Sequence, residues 1–193
     1  MKLILASSSP RRAAILENAG IRFERRPTEI DESPLAGESA EDSVVRLAEE
    51  KAWKVSRGVA GPAIVIGADT LVVLDGEVMA KPRSAEEARE MLRRLSGRTH
   101  TVTTGIAALR LPDGTTVRGA EHTAVTFATL SENEIDAYVA TGEPMDKAGA
   151  YGVQERAGRF VMRIEGCYFN VVGLPLARLY AMLKELGWQA DSE

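Results

Sequence analysis

The sequence predicts an α/β chain of mixed character: a mixed β-sheet with helices packed on it. Three observations predict it. β-branched apolar runs are separated sometimes by helical patterns and sometimes by hairpin signals, as at Asp75-Gly76 and Asp113-Gly114. Helix starts of the Ser-x-x-Glu or Ser-Pro type recur along the chain. The apolar fraction of 45% and charged fraction of 27% lie in the ordinary globular range, so a disordered or fibrous chain is excluded. A length of 193 residues suits one domain spanning 1–193, with room for two lobes.

In chain order, Lys2 to Ala6 reads as a short buried strand. A helix follows with Ser9 as N-cap and Pro10 at its first position, stopping at Gly20. Arg22 to Arg26 reads as a second strand, and the Pro-containing stretch 27–37 as a loop. A helix opening at Ser39 puts Val44, Leu47, Ala48, Lys51 and Ala52 on one face. The run AIVIGADTLVVL, residues 63–74, predicts buried strand structure broken near its middle by Gly67, Asp69 and Thr70. Ser84 to Glu87 reads as a capping box for a helix ending at Gly97, and residues 99–111 and 115–130 as a long ribbon. A helix starting at Ser131, strands around 160–164 and 168–172, and a last helix opened by Pro175 and closed by Gly187 complete the pattern.

Composition removes several chemistries. Two histidines and one cysteine, His100, His122 and Cys167, are too few and too scattered for a zinc site, and no disulfide can form within one chain. A net charge of −4 argues against a nucleic-acid partner. No run is long and apolar enough to span a membrane, and the opening segment resembles a signal peptide only superficially, its short apolar run being cut off by Ser7-Ser8-Ser9, so the cytoplasm is the expected compartment. The common phosphate-loop, dinucleotide, nucleophile-elbow and metalloprotease motifs are missing.

The segment Ser7-Ser8-Ser9-Pro10-Arg11-Arg12 lies where a strand ends and a helix begins. Backbone N–H groups, hydroxyls and two guanidinium forks there suit phosphate oxygens, the plainer alternative being an ordinary Ser N-cap with two solvated arginines. Asp69 sits in an apolar run, where an ionised carboxylate needs a partner or a metal unless it merely marks a turn. Glu32 belongs to an acidic loop stretch. Lys51 lies on an apolar helix face, and Lys81 precedes Pro82; either lysine alone also reads as a snorkelling or strand-ending residue. The stretch 146–154, DKAGAYGVQ, combines small residues that allow close backbone approach with Gln154, whose amide can read a base edge. Cys167 reads as packing, and His100 and His122 receive no role.

Together the segments LILASSSPRR (3–12), EIDES (29–33), LAEEKA (47–52), GADT (67–70), KPRSAEEAREMLRRLSGRTHTV (81–102), DKAGAYGVQ (146–154) and VVGLPL (171–176) resemble the Maf family of nucleoside triphosphate pyrophosphatases, on the branch acting on dTTP and UTP. Cys167 stands where that pattern has serine. The resemblance implies an elongated mixed sheet with two lobes flanking a cleft, of the inosine triphosphatase-like kind, and a homodimer. It implies hydrolysis between the α and β phosphates with a divalent metal, Mg²⁺ or Mn²⁺. Asp69 carries over as the catalytic carboxylate, with Glu32 and Asp69 toward the metal. Ser7, Ser9, Arg11, Arg12, Lys51, Thr70, Lys81 and Gln154 carry over toward the nucleoside triphosphate, among them Arg11, Thr70 and Gln154 as substrate-selecting positions.

A charge count favours the metal. Arg11, Arg12, Lys51 and Lys81 bring positive charge and Glu32 and Asp69 subtract some, against a triphosphate of roughly four negative charges. A carboxylate facing phosphate bare would cost on the order of 4 kcal/mol at 4 Å and a dielectric of about 20. Two other readings stay open: a pyrophosphatase of modified or non-canonical nucleotides, and a nucleotide-responsive regulator of cell division and septum formation.

Overall fold

The computed structural model describes residues 1–189. Among them are seven strands: β1 (Lys2–Leu5), β2 (Glu24–Arg25), β3 (Ala63–Leu74), β4 (Glu77–Met79), β5 (Thr99–Leu111), β6 (Thr116–Phe127) and β7 (Val161–Glu165). Six α-helices accompany them: α1 (Pro10–Asn18), α2 (Ala40–Ser56), α3 (Ala85–Leu95), α4 (Glu132–Val139), α5 (Tyr168–Val172) and α6 (Leu176–Glu185). The strand order is β2-β1-β3-β5-β6-β7, with β4 paired to β3. β1 runs parallel to β2 and β3, whereas β4 and β7 pair antiparallel with β3 and β6, so the sheet is mixed as the alternation of hairpins and helical crossovers predicts. Among the described residues no helix is long and apolar enough to cross a membrane.

The chain divides into two compact units, and β3, β5 and β6 each begin in one and end in the other. The first comprises Met1–Asp69, Thr104–Glu121 and the chain from Gly173 onward. Its β1 and β3 pair from Lys2↔Ala63 to Leu5↔Ile66. Ile4, Ala6, Val65 and Leu109 pack with Ala52 and Val55 of α2. α2 lies against the sheet because two strand glycines let it. A Cβ on Gly67 would stand 1.9 Å from the Ala48 carbonyl oxygen, and one on Gly105 would stand 2.2 Å from that of Val44.

The second unit comprises Thr70–Thr103 and His122–Val172. It is built on the Val72↔Met79 to Leu74↔Glu77 hairpin, whose turn places Asp75 and Gly76 at positive φ, and on α3 and α4. Its core joins Leu92, Leu95, Val125 and Ile135 to an aromatic group. Phe127 meets Tyr151 and Tyr138 meets Phe160 edge to face, with ring centroids 4.8 and 5.4 Å apart.

Helix starts follow the sequence with one refinement. Ser9, Ser39, Ser84 and Ser131 all cap their helices, but the reciprocal box forms at Ser131, where Glu134 returns a bond to the Ser131 N–H at 2.8 Å. At Ser84 the Glu87 carboxylate reaches one residue further back, to the Arg83 N–H. Three expectations are corrected. β3 runs unbroken from Ala63 to Leu74, because Gly67 provides room for α2 and the Asp69 charge is compensated in place. The second strand shrinks to Glu24–Arg25. Residues Tyr168–Val172 form a helix rather than a strand. There the Thr123 hydroxyl exchanges bonds with the Cys167 backbone, and the Asn170 amide donates to the Val102 carbonyl and the Thr123 hydroxyl, which outweighs the strand propensity of the two valines.

Candidate active site

The first unit assembles a charged cluster at the end of β1 and the middle of β3. β1 delivers Ser7, buried, and α1 begins directly after it. The Ser7 Oγ accepts from the Ser9 N–H at 3.2 Å and from Arg12 Nη1 at 3.3 Å, while the Ser9 Oγ caps the helix by accepting from the Arg12 N–H. Arg25 of β2 donates to the carbonyls of Ser7 and Ser8, tying the turn from the outside. Arg12 therefore is not a solvated arginine. It donates to Gly173 O at 2.7 Å and to Ala68 O at 2.9 Å, gripping the residue before Asp69. Burial pushes its guanidinium below the ordinary value; Asp69 and Glu32 oppose that shift and neighbouring Arg11 adds to it.

Lys51 and Asp69 are the centre of the cluster. Gly67 and Asp69 are two apart on β3 and so share a face, the face that Gly67 opens to α2, and Lys51 lies three residues after Ala48, on the same side of the helix. The Lys51 Nζ lies 2.6 Å from Asp69 Oδ1 and 2.6 Å from Glu32 Oε1. Lys51 and Asp69 are 7% and 8% exposed, so neither snorkels nor caps a turn; they compensate one another in the interior. Glu32 differs, with 51% of its side chain exposed. The two carboxylates thus meet at one ammonium, one from the core and one from the loop. The loop is held to α2 by Arg46, which pairs with Glu38 at 2.6 Å, and by Lys54, which donates to Glu29 O at its near end.

Among the described residues no three His, Cys, Asp or Glu side chains gather as a metal cluster. The donors that do meet, Glu32 and Asp69, are hard carboxylate oxygens. Their chemistry fits Mg²⁺ or Mn²⁺, which leave several coordination positions to water and phosphate oxygens.

Thr70, Lys81 and Gln154 belong to the second unit. Thr70 continues β3, Lys81 is exposed after β4, and Gln154 is exposed in a turn after Tyr151. The segments that carry them are tied together. The Gly149 N–H donates to Ala80 O at 3.2 Å, beside Lys81, and Gly149, at a φ of 67°, leaves a Cβ only 3.0 Å from Val72, two residues beyond Thr70. His100 is buried against Tyr151, its Nε2 2.7 Å from the phenol oxygen, and burial lowers it to about 4.

Sequence reasoning gave no individual role to Arg25, Gly105 or Lys147, and read Gly67 as a break in the strand rather than as room for α2. The glycines carried a signal, since glycine inside a β-branched strand marks close backbone approach. Arg25 carried none, because its partners lie in a turn distant along the chain.

Comparison with known proteins follows the same lines. The family model described as Maf-like protein matches residues 2–186. A dTTP/UTP pyrophosphatase of Pelotomaculum thermopropionicum is 50% identical over 187 residues, covering 97% of each chain. One from Geobacillus sp. (strain WCH70) is 52% identical, covering 97% of this chain and 99% of its own. Among solved structures, a HAM1 protein from Coxiella burnetii superposes with a TM-score of 0.53 at 16% identity, covering 96% of this chain and 99% of that one, a likeness of fold.

Proposed function

The chain belongs to the Maf family and is a nucleotide pyrophosphatase, and we propose that it hydrolyses dTTP and UTP to the nucleoside monophosphate and pyrophosphate, with Asp69 as proton acceptor. The observation that carries this reading is the meeting of Asp69 and Glu32 at the Lys51 ammonium, 2.6 Å from each.

In this mechanism Asp69 orients a water and takes its proton as the oxygen attacks the α phosphorus in line. The bond from that phosphorus to the bridging oxygen breaks and pyrophosphate departs. Lys51 holds the Asp69 carboxylate in place, and Arg12 fixes the backbone at Ala68 and the Ser7 hydroxyl, leaving the first turn of α1 with Ser9 and Arg11 to the phosphates. A divalent cation held by Asp69 and Glu32 would neutralise the phosphate oxygens that those carboxylates otherwise repel. Gln154, with Thr70, selects the pyrimidine. A pairing donor-and-acceptor edge is what an exposed amide can offer a base.

Pyrophosphate release by the purified protein, measured over dTTP, UTP, CTP, ATP and GTP with Mg²⁺ or Mn²⁺ and again with chelator, tests the reading. Highest kcat/KM for dTTP and UTP, and arrest by chelator, are expected. Asp69→Asn should lower kcat about a thousandfold while the far-ultraviolet circular dichroism is kept. Release of orthophosphate in place of pyrophosphate, or near-normal turnover by Asp69→Asn, overturns it.

A further inference from the structure

We propose that Lys147 is a positioning residue for base selection, holding in place the turn that presents Gln154. This rests on the proposed role of Gln154 and adds the device that sets it. Lys147 is 6% exposed, a burial that an ammonium tolerates only when its donors are met. It has three N–H donors and three protein acceptors: Glu143 O at 2.7 Å, Asp146 Oδ1 at 2.8 Å and Glu155 Oε2 at 3.0 Å. With every donor occupied, Lys147 is not itself a phosphate ligand. Its work is structural and local.

The turn that it controls runs from Gly152 to Glu155, closed by the Glu155 N–H donating to Gly152 O at 3.2 Å, with Gln154 third in the turn. Lys147 holds both ends. At the first, its stem lies directly on Gly152, where a Cβ would stand 2.7 Å from Lys147 Cε and 2.9 Å from Cδ. At the last, its ammonium holds the Glu155 carboxylate. The lysine is itself anchored, since two residues on, Gly149 is bonded to Ala80 and packed on Val72. Gln154 is exposed, so the geometry of its turn decides where its amide points.

The test measures kcat and KM for UTP, dTTP and CTP in Lys147→Met, Gln154→Ala, the double variant, Glu155→Gln and Asp146→Asn, with circular dichroism on each. Lys147→Met is expected to raise KM for UTP and dTTP about tenfold, with kcat changed less than about threefold, and to shrink their advantage over CTP. Because Lys147 acts through Gln154, the double variant should be no less selective than Gln154→Ala alone. Glu155→Gln should erode selectivity in the same direction, and Asp146→Asn, whose carboxylate lies outside the turn, should not. Unchanged selectivity in folded Lys147→Met, or additive losses in the double variant, overturns the role while leaving the Gln154 reading standing. Unchanged selectivity in Gln154→Ala overturns both. Should Lys147→Met fail to fold, the contrast between Glu155→Gln and Asp146→Asn decides: equal effects overturn the role.

Discussion

Two buried lysines, one in each unit, hold two carboxylates apiece, and they do so for different ends. Around Lys51 the partner Asp69 is itself buried, held on a central strand under a helix, and only Glu32 reaches solvent. Around Lys147 the ammonium is the buried member, and both acids, Asp146 and Glu155, have side chains well exposed at 64% and 38%. A carboxylate buried against an ammonium has its orientation fixed, as a group that must aim at a reacting atom requires. An ammonium sealed beneath two hydrated acids is a fastener for backbone. Burial of the acid, more than the presence of an ion pair, separates the two.

Breaking each lysine tests the difference. Lys51→Met removes the ion-pair partner of the buried Asp69 and should cost about 4 kcal/mol, whereas Lys147→Met leaves acids that water can solvate and should cost about 2 kcal/mol. Denaturant melts of the two variants measure both, and equal losses would erase the distinction.

The glycines sharpen it. Gly67→Ala drives a Cβ into the Ala48 backbone, which cannot yield without moving α2 and with it Lys51; a loss of about 3 kcal/mol and of turnover is expected. Gly152→Ala meets the side chains of Lys147 and Glu155 rather than backbone, so about 1 kcal/mol is expected, with the effect falling on substrate preference. Thermal unfolding together with the nucleotide panel distinguishes the two outcomes.

A third test uses pH and reads the core next to the Lys147 turn. His100 is neutral in the fold, lowered by burial from 6.5 to about 4. Between those values the unfolded chain binds the extra proton, so stability rises with pH from about 4 to 6.5 and is level above. The loss on the acid side should approach about 3 kcal/mol. His100→Gln, which can still bond the Tyr151 hydroxyl, should flatten that slope in denaturant midpoints measured across the range.

Much of this was legible beforehand. The period of α2 placed Val44, Leu47, Ala48, Lys51 and Ala52 on its buried face, and the capping residues Ser9, Ser39, Ser84 and Ser131 marked four helix starts where the structure has them. Asp69 was singled out as a carboxylate in need of a partner, whereas Glu32 stood out only as part of an acidic loop stretch and through the family resemblance. The break expected at Gly67 did not occur, and the strand expected over 168–172 is a helix, because in both places a partner distant in sequence overrode local preference. Arg12 donates from Nε to Gly173 and from Nη1 to Ala68 and Ser7, partners that only the fold brings within its reach.

By itself the sequence determined the elements, their caps, the buried faces and the inventory of charges, all properties written in residues a few positions apart. Tertiary structure alone decided which charges meet: that Lys51 lies between Glu32 and Asp69, that Arg12 braces Ala68, and that Lys147 seats the turn of Gln154. An ion pair of a few ångströms depends on how closely a helix lies on a strand, and that distance was set by the missing side chains of Gly67 and Gly105.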